Sequence, residues 1–243
     1  MTDWPQIRTV GLSGLLVTFD AQMSEPANRA ALAFRAAVEA EDWPEVTETS
    51  TSLVSTFLEV DLATHSAEDL SARLQILIDG TDWYATSLPA GRTLWHIPTL
   101  YGTDLAPQLE EAATLAGVDP DTAIRELSTA RVRVLTIGFA TGQPYTGMLP
   151  ANWNIPRQKG LTKSVPAGAL IVAIQQLIIF TNAAPTGWRH IGQTAFKNFL
   201  PDAERPFALS PGDELTFPAV SRSTFDRLLK SETNGGAEAE ALP

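Results

Sequence analysis

The spacing of apolar residues divides the chain into elements of two kinds. Gly11 to Phe19 reads as a strand entered through glycines, because short apolar runs bounded by turn residues favour extended backbone. Ser24 then caps a helix whose Ala27, Ala30, Ala31, Phe34, Ala37 and Val38 recur on one face at helical spacing. Val46 to Ser52 is Thr-rich and alternates weakly, and Leu53 to Val60 is a better strand. Ser66 with Asp69 resembles a capping box; Leu70, Leu74, Leu77 and Ile78 form the stripe of a second helix, with Gly80 at its C-terminal end. The predicted order is strand, helix, strand, strand, helix, strand, the split βαβ arrangement of ferredoxin-like domains.

Pro89-Ala-Gly91 marks a boundary. Thr93 to Leu100 reads as one short strand. Leu105, Leu109, Ala112 and Ala116 form a helical stripe that stops at Gly117. Asp119-Pro120 opens another helix running to about Ser128, with Asp as cap and Pro in the first turn, where its missing N–H does no harm. Val132 to Phe139 is a strand. Beyond it Gly and Pro punctuate short apolar runs, the texture of a compact barrel or sandwich. Phe225 to Leu229 predicts a closing helix. The expected divisions are 1–88, an α+β ferredoxin-like domain; 89–230, a β-barrel; and 231–243, a disordered acidic tail containing Asn234-Gly-Gly.

Composition narrows the chemistry. The 243 residues are 44% hydrophobic and 19% charged, ordinary for a globular chain. With no cysteine there is no disulfide, thiolate metal site or cysteine nucleophile. No secretory signal is visible at Met1 to Arg8, and the apolar stretch Ala167 to Ile174 is far shorter than the roughly 20 residues a membrane span needs. The expectation is a soluble cytoplasmic protein. The net charge of −11 argues against nucleic acid or a membrane as partner. That charge is unevenly spread: Leu127 to Pro201 has no Asp or Glu but holds Arg131, Arg133, Arg157, Lys159, Lys163, Arg189 and Lys197, while the remainder carries −18. Either this is a weakly charged β core or a cationic face for an anionic ligand or acidic partner.

The histidines are His65, His96 and His190. None has zinc-ligand spacing, so a metal site is not expected. His65 reads as a loop residue and His96 as structural. Gly11-Leu-Ser-Gly14 lacks GxSxG spacing, and Gly138 to Gly147 has neither a Walker A lysine nor GxGxxG, so ATP is not expected to bind this chain alone. His190, beside Trp188 and Arg189 in the basic region, is the best candidate acid/base. Arg157 could take a carboxylate bidentately.

An ordered series of phrases carries a family resemblance. It runs Ile137-Gly-Phe139, Gly142, Tyr145, Gly147, Leu149-Pro150, Ile155-Pro-Arg157, Val165-Pro-Ala-Gly168, Gln176, Pro185-Thr-Gly-Trp188, Ile191-Gly192 and Ser210-Pro-Gly-Asp213. Arg8 to Phe19, Tyr101-Gly102 and Asp104 to Ala113 extend it upstream. The series resembles the 5-oxoprolinase B-subunit family, also described as the first subunit of the allophanate-hydrolase type, and related to a Kip-type inhibitor of a sensor histidine kinase. The resemblance implies a cyclophilin-like barrel behind a ferredoxin-like domain. It implies a heteromer with a barrel protein of the C-subunit type and a third hydrolase component, which together spend ATP to open a small carboxylated cyclic amide. In that frame His190 and Gln176 are the candidate catalytic residues, and Arg157, Tyr145, Gly142 and Lys163 the candidate substrate contacts. The alternatives are a non-catalytic regulator of a histidine kinase, or a binding module for a different carboxylated amide.

The chain departs from the family pattern at particular positions. Ser128 stands where the family usually has His. Gln143, Thr146 and Met148 replace an aromatic, Leu and Gly. Ile174-Gln-Gln-Leu-Ile178 replaces GGQTG, exchanging glycines, which permit positive φ and close backbone approach, for residues with side chains.

Overall fold

The computed structural model describes residues 4–231 and 234–242. The chain forms two compact units, Met1–Ala90 and Gly91–Pro243.

The first unit contains β1 (Gln6–Val10), β2 (Gly14–Thr18), α1 (Glu25–Ala40), β3 (Glu48–Ser52), β4 (Ser55–Glu59) and α2 (Ala67–Asp79). The strands form one antiparallel sheet in the order β1-β2-β4-β3. Both helix starts follow from their caps: Ser24 Oγ accepts the N–H of Ala27, and Ser66 Oγ that of Asp69. Leu15, Val17, Phe34, Leu58 and Leu74 are fully buried between sheet and helices. The unit is mixed α+β, but its order differs from the predicted one. No strand follows α2; the border of the sheet beside β2 is taken by β1. Only Ile7 of β1 packs on the core, so the strand has too little apolar alternation to be recognised.

The second unit contains β5 (Thr93–His96), β6 (Thr99–Tyr101), α3 (Leu109–Ala116), α4 (Pro120–Thr129), β7 (Val132–Ile137), β8 (Pro144–Gly147), β9 (Thr162–Val165), β10 (Ala169–Ala173), β11 (Gln176–Ile179), β12 (Ala184–Thr186), β13 (Arg189–Thr194), β14 (Glu214–Thr216), α5 (Arg222–Leu228) and β15 (Glu238–Ala241). Nine strands make a curled, half-barrel sheet in the order β15-β5-β14-β7-β8-β11-β10-β13-β6, and β9 pairs with β12. The curl brings β6, at one border, to the chain leaving β14: Thr99 N–H donates to Pro218 O, and Val220 N–H to Thr99 O. The expected single strand Thr93 to Leu100 is therefore two, broken at Ile97-Pro98, since proline supplies no N–H to a ladder.

The C-terminal segment is a second correction. Residues 238–241, expected in a disordered tail, form β15 against β5. The Asn234-Gly-Gly turn is an anchor: Asn234 Oδ1 accepts Lys197 N–H at 2.9 Å, and its Nδ2 donates to Lys197 O at 3.0 Å. A Cβ on Gly235 would lie 2.5 Å from the Ala195 carbonyl carbon, so only glycine permits this approach.

Strand β10 is buried on both faces, and its alternation separates two cores. Leu170 and Val172 join α3, α4, Trp153 and Ile191 in the larger cluster. Ala169, Ile171 and Ala173 join Val165, Ile178, Phe180 and Trp188 in the smaller one, with Tyr145 packed against it. The second face positions the candidate site.

Candidate functional site

Strand β13 is buried at all six positions, although its sequence, Arg-His-Ile-Gly-Gln-Thr, is mostly polar. A buried polar strand needs a partner for every side chain. Arg189 finds one in Glu111, at 2.9 Å, and another in the Pro156 carbonyl. Thr194 Oγ1 donates to Gly168 O. His190 Nε2 and Gln193 Oε1 are buried without a well-formed hydrogen bond, and the two side chains lie beside each other, the residues only 4% and 7% exposed.

The His190 main chain is fixed by Gln108, whose Oε1 accepts its N–H and whose own N–H donates to its carbonyl. His190 pairs with Ile171, so its side chain shares the face of the smaller core. Burial pushes its pKa below the ordinary 6.5, while the nearby Gly192 backbone and Gln193 side chain oppose that shift. The shift favours the neutral ring over the imidazolium. Gln193 is held by its amide nitrogen, which donates to the Ala167 and Thr194 carbonyls. Its oxygen therefore stays an acceptor. The approach is tight: a Cβ on Gly168, at φ +78°, would lie 2.3 Å from Thr194 O and 2.8 Å from Gln193 Nε2. Gln143, 1% exposed, adds another unpartnered amide oxygen, and its Nε2 contacts the Tyr145 hydroxyl at 3.4 Å.

The other sequence candidates divide by position. Tyr145 packs on the same core as His190's strand partner Ile171. Gln176 opens β11 just after the hairpin turn, half-buried, where a Cβ on Gly147 would meet its Cγ. Gly142 is buried beneath the stacked Phe199 and Phe207 rings and offers its carbonyl to Asn198, a packing role. Arg157 and Lys163 are exposed. Arg157 lies beside Gly187, and Lys163 is on β9, paired with β12. The structure thus brings Tyr145 to the His190 face and does not bring Arg157 or Lys163 into it.

The acid-free island is partly neutralised from outside: Arg189 pairs with Glu111, and Arg131 with Glu214. Ser128 lies on α4 and bonds its own helix at Arg125 O; α4 packs on the larger core, away from the His190 face. Glu126 of the same phrase accepts Trp153 Nε1–H and Asn152 Nδ2–H. Among the described residues no three His, Asp or Glu side chains could hold a metal ion, and no helix is long and apolar enough to cross a membrane. Gln193 and Gln143 were missed from sequence. For Gln193 the available signal was a strand, Arg189–Thr194, that is mostly polar.

The family described as carboxyltransferase domain, subdomain C and D, matches residues 5–209. This chain belongs to that carboxyltransferase family. It is 27% identical over 241 residues to the 5-oxoprolinase B-subunit of Bacillus subtilis (strain 168), spanning 96% of this chain and 100% of the relative. The resemblance to the 5-oxoprolinase B-subunit read from the ordered motifs therefore stands. Among solved structures, TTHA0988 is 27% identical with a TM-score of 0.71; the match covers 89% of this chain and 40% of that longer one. The K. lactis urea amidolyase, at 16% identity and TM-score 0.71, covers 98% of this chain and 16% of its own, and shares the fold.

Proposed function

We propose that this chain is one component of a multi-subunit, ATP-dependent hydrolase of a small cyclic amide, of the 5-oxoprolinase type. It works beside a barrel protein of the C-subunit type and a third hydrolase component in the cytoplasm, and ATP is used by the complex, not held by this chain alone. In this reading the half-barrel sheet is a cyclophilin-like barrel and the first unit a rearranged ferredoxin-like domain. The observation that carries the proposal is the set of unpartnered buried atoms, His190 Nε2, Gln193 Oε1 and Gln143 Oε1. Leaving such groups unpaired costs about 1–3 kcal/mol each. In this reading His190 moves a proton to or from the amide, and Tyr145 donates from its hydroxyl. Near-complete alignment with the Bacillus subtilis relative supports the choice of reaction.

The test is coexpression with the neighbouring barrel protein and the third component, followed by ATP hydrolysis driven by 5-oxoproline. Stimulation that falls at least about tenfold with His190→Gln supports the proposal. A stable complex without stimulation overturns the 5-oxoproline version. A second reading, a non-catalytic regulator, draws on Ser128, whose hydroxyl supplies no proton shuttle where the family has His; binding to a histidine-kinase dimerisation domain would favour it.

A further inference from the structure

The four-stranded sheet of the first unit ends at β3, which pairs only with β4 among the described strands. The outer backbone groups of such a strand are a template for strand addition, and sheet borders are commonly blunted by lysine, proline or a bulge. β3, Glu-Thr-Ser-Thr-Ser, has none of these; its register with β4 is unbroken and its one charge is Glu48. Beside it, between the C-terminal end of α1 and the start of β3, lies a groove of about 350 Å³. Val38, Trp43 and Val46 give the groove apolar walls, and Glu39, Asp42 and Glu48 line it with acid.

The charges here work against the fold that carries them. Glu48 stands directly opposite Glu59 of β4, and like charges so placed repel. Glu39, Glu41 and Asp42 crowd the C-terminal end of α1, where the helix dipole favours cations, and the last turn holds no base. The neighbouring arginines are committed. Arg35 Nε–H donates to Glu39 and Thr49, and Arg73 pairs with Glu45 at 3.0 Å while lying over the Trp43 ring. Asp42 and Glu48 have no ion pair among the described residues. Residues 1–90 hold fourteen Asp and Glu against four Arg and no Lys.

We propose that the β3 border and its groove dock an extended segment of another protein that carries Lys or Arg. The segment's main chain adds as a fifth strand beside β3, and its cations meet Asp42 and Glu48. A second copy of this chain would bring the same acids to the border, so charge selects a basic partner. The surface is lined wholly by residues of the first unit and is independent of the amide-hydrolase reading.

Fluorescence anisotropy on the full chain with three labelled peptides tests the assignment. One alternates Lys with Val and has four lysines. The second replaces each Lys by Glu. The third is a Lys-Pro-Pro repeat with four lysines, which carries the same charge in a polyproline helix that cannot join a sheet. The Lys-Val peptide is expected to bind at least about tenfold tighter than either of the others, and Asp42→Asn with Glu48→Gln to weaken it at least about tenfold. Both substituted positions are exposed, and Asn accepts the φ of +49° at residue 42, so the double variant keeps the fold. Equal binding of the two lysine peptides makes the contact one of charge alone and overturns strand docking. An unchanged double variant, or no binding at millimolar concentration, overturns the surface itself.

Discussion

Trp153 donates its indole N–H to the carboxylate of Glu126 at 2.8 Å, tying the turn after β8 to helix α4. Trp153 is fully buried, so this carboxylate is what satisfies its one polar atom. Glu126→Ala leaves the indole N–H without an acceptor and also removes the Asn152 bond. The expected cost is about 1–3 kcal/mol, read as a thermal midpoint lower by roughly 2–10 °C. A Glu126→Ala midpoint equal to wild type would show the bond to be dispensable.

Ile174 and Gln175 form the β10–β11 turn at φ +45° and +61°. The left-handed region is unfavourable for L residues by about 1–2 kcal/mol and worst for β-branched ones, whereas Asn visits it readily. Ile174 is 45% exposed, so little packing is lost on replacing it. Ile174→Asn should stabilise the chain by about 0.5–1 kcal/mol, seen as a higher urea midpoint with unchanged slope. A lower midpoint would mean that the turn tolerates isoleucine without strain.

Gly168 presents the opposite case. A methyl at that position collides with Thr194 O and Gln193 Nε2, and φ is +78°. Gly168→Ala is expected to cost more than about 2 kcal/mol, from left-handed strain together with overpacking. Chemical denaturation measures it, and a loss below about 0.5 kcal/mol (roughly a twofold change in the folding equilibrium) would contradict the close approach.

Stability should depend on pH through His190. Its pKa in the folded chain lies below the ordinary 6.5 because burial disfavours the charged ring. Between those two values the unfolded chain binds a proton that the folded chain refuses. The contribution is thus complete above 6.5 and is lost as pH falls through 6.5 toward the folded value. His190→Gln should flatten the decline in urea midpoint between about pH 7.5 and 5.5. An equal decline in both proteins would assign it to other groups.

Much of this was legible in the chain. Ser24, Ser66 and Asp119 each cap the helix that their position announced. Gly117 ends α3 in the left-handed conformation, as a terminal glycine should. Local chemistry sets these features, so a local reading finds them. Strand β1 escaped because its partner, not its pattern, makes it a strand. Of the sequence candidates, His190 and Tyr145 share one face of the smaller core while Arg157 and Lys163 stand exposed, for charge alone offers no distinction between a pocket and an exposed rim. Gln193 was hidden for a related reason: an amide becomes chemically conspicuous only when folding satisfies its nitrogen and strands its oxygen.

Strand β15 covers β5, which would otherwise present a row of unpaired backbone groups at the border of the nine-stranded sheet. Four residues with alternating glutamates make a short, charged cover, held chiefly by the Asn234 anchor and main-chain bonds. Such a strand acts as a seal over that border. When it lifts, the half-barrel acquires a templating border onto which a strand from another polypeptide can add by main-chain pairing alone, and the last residues of the chain then act as an internal competitor that sets how readily that border is taken.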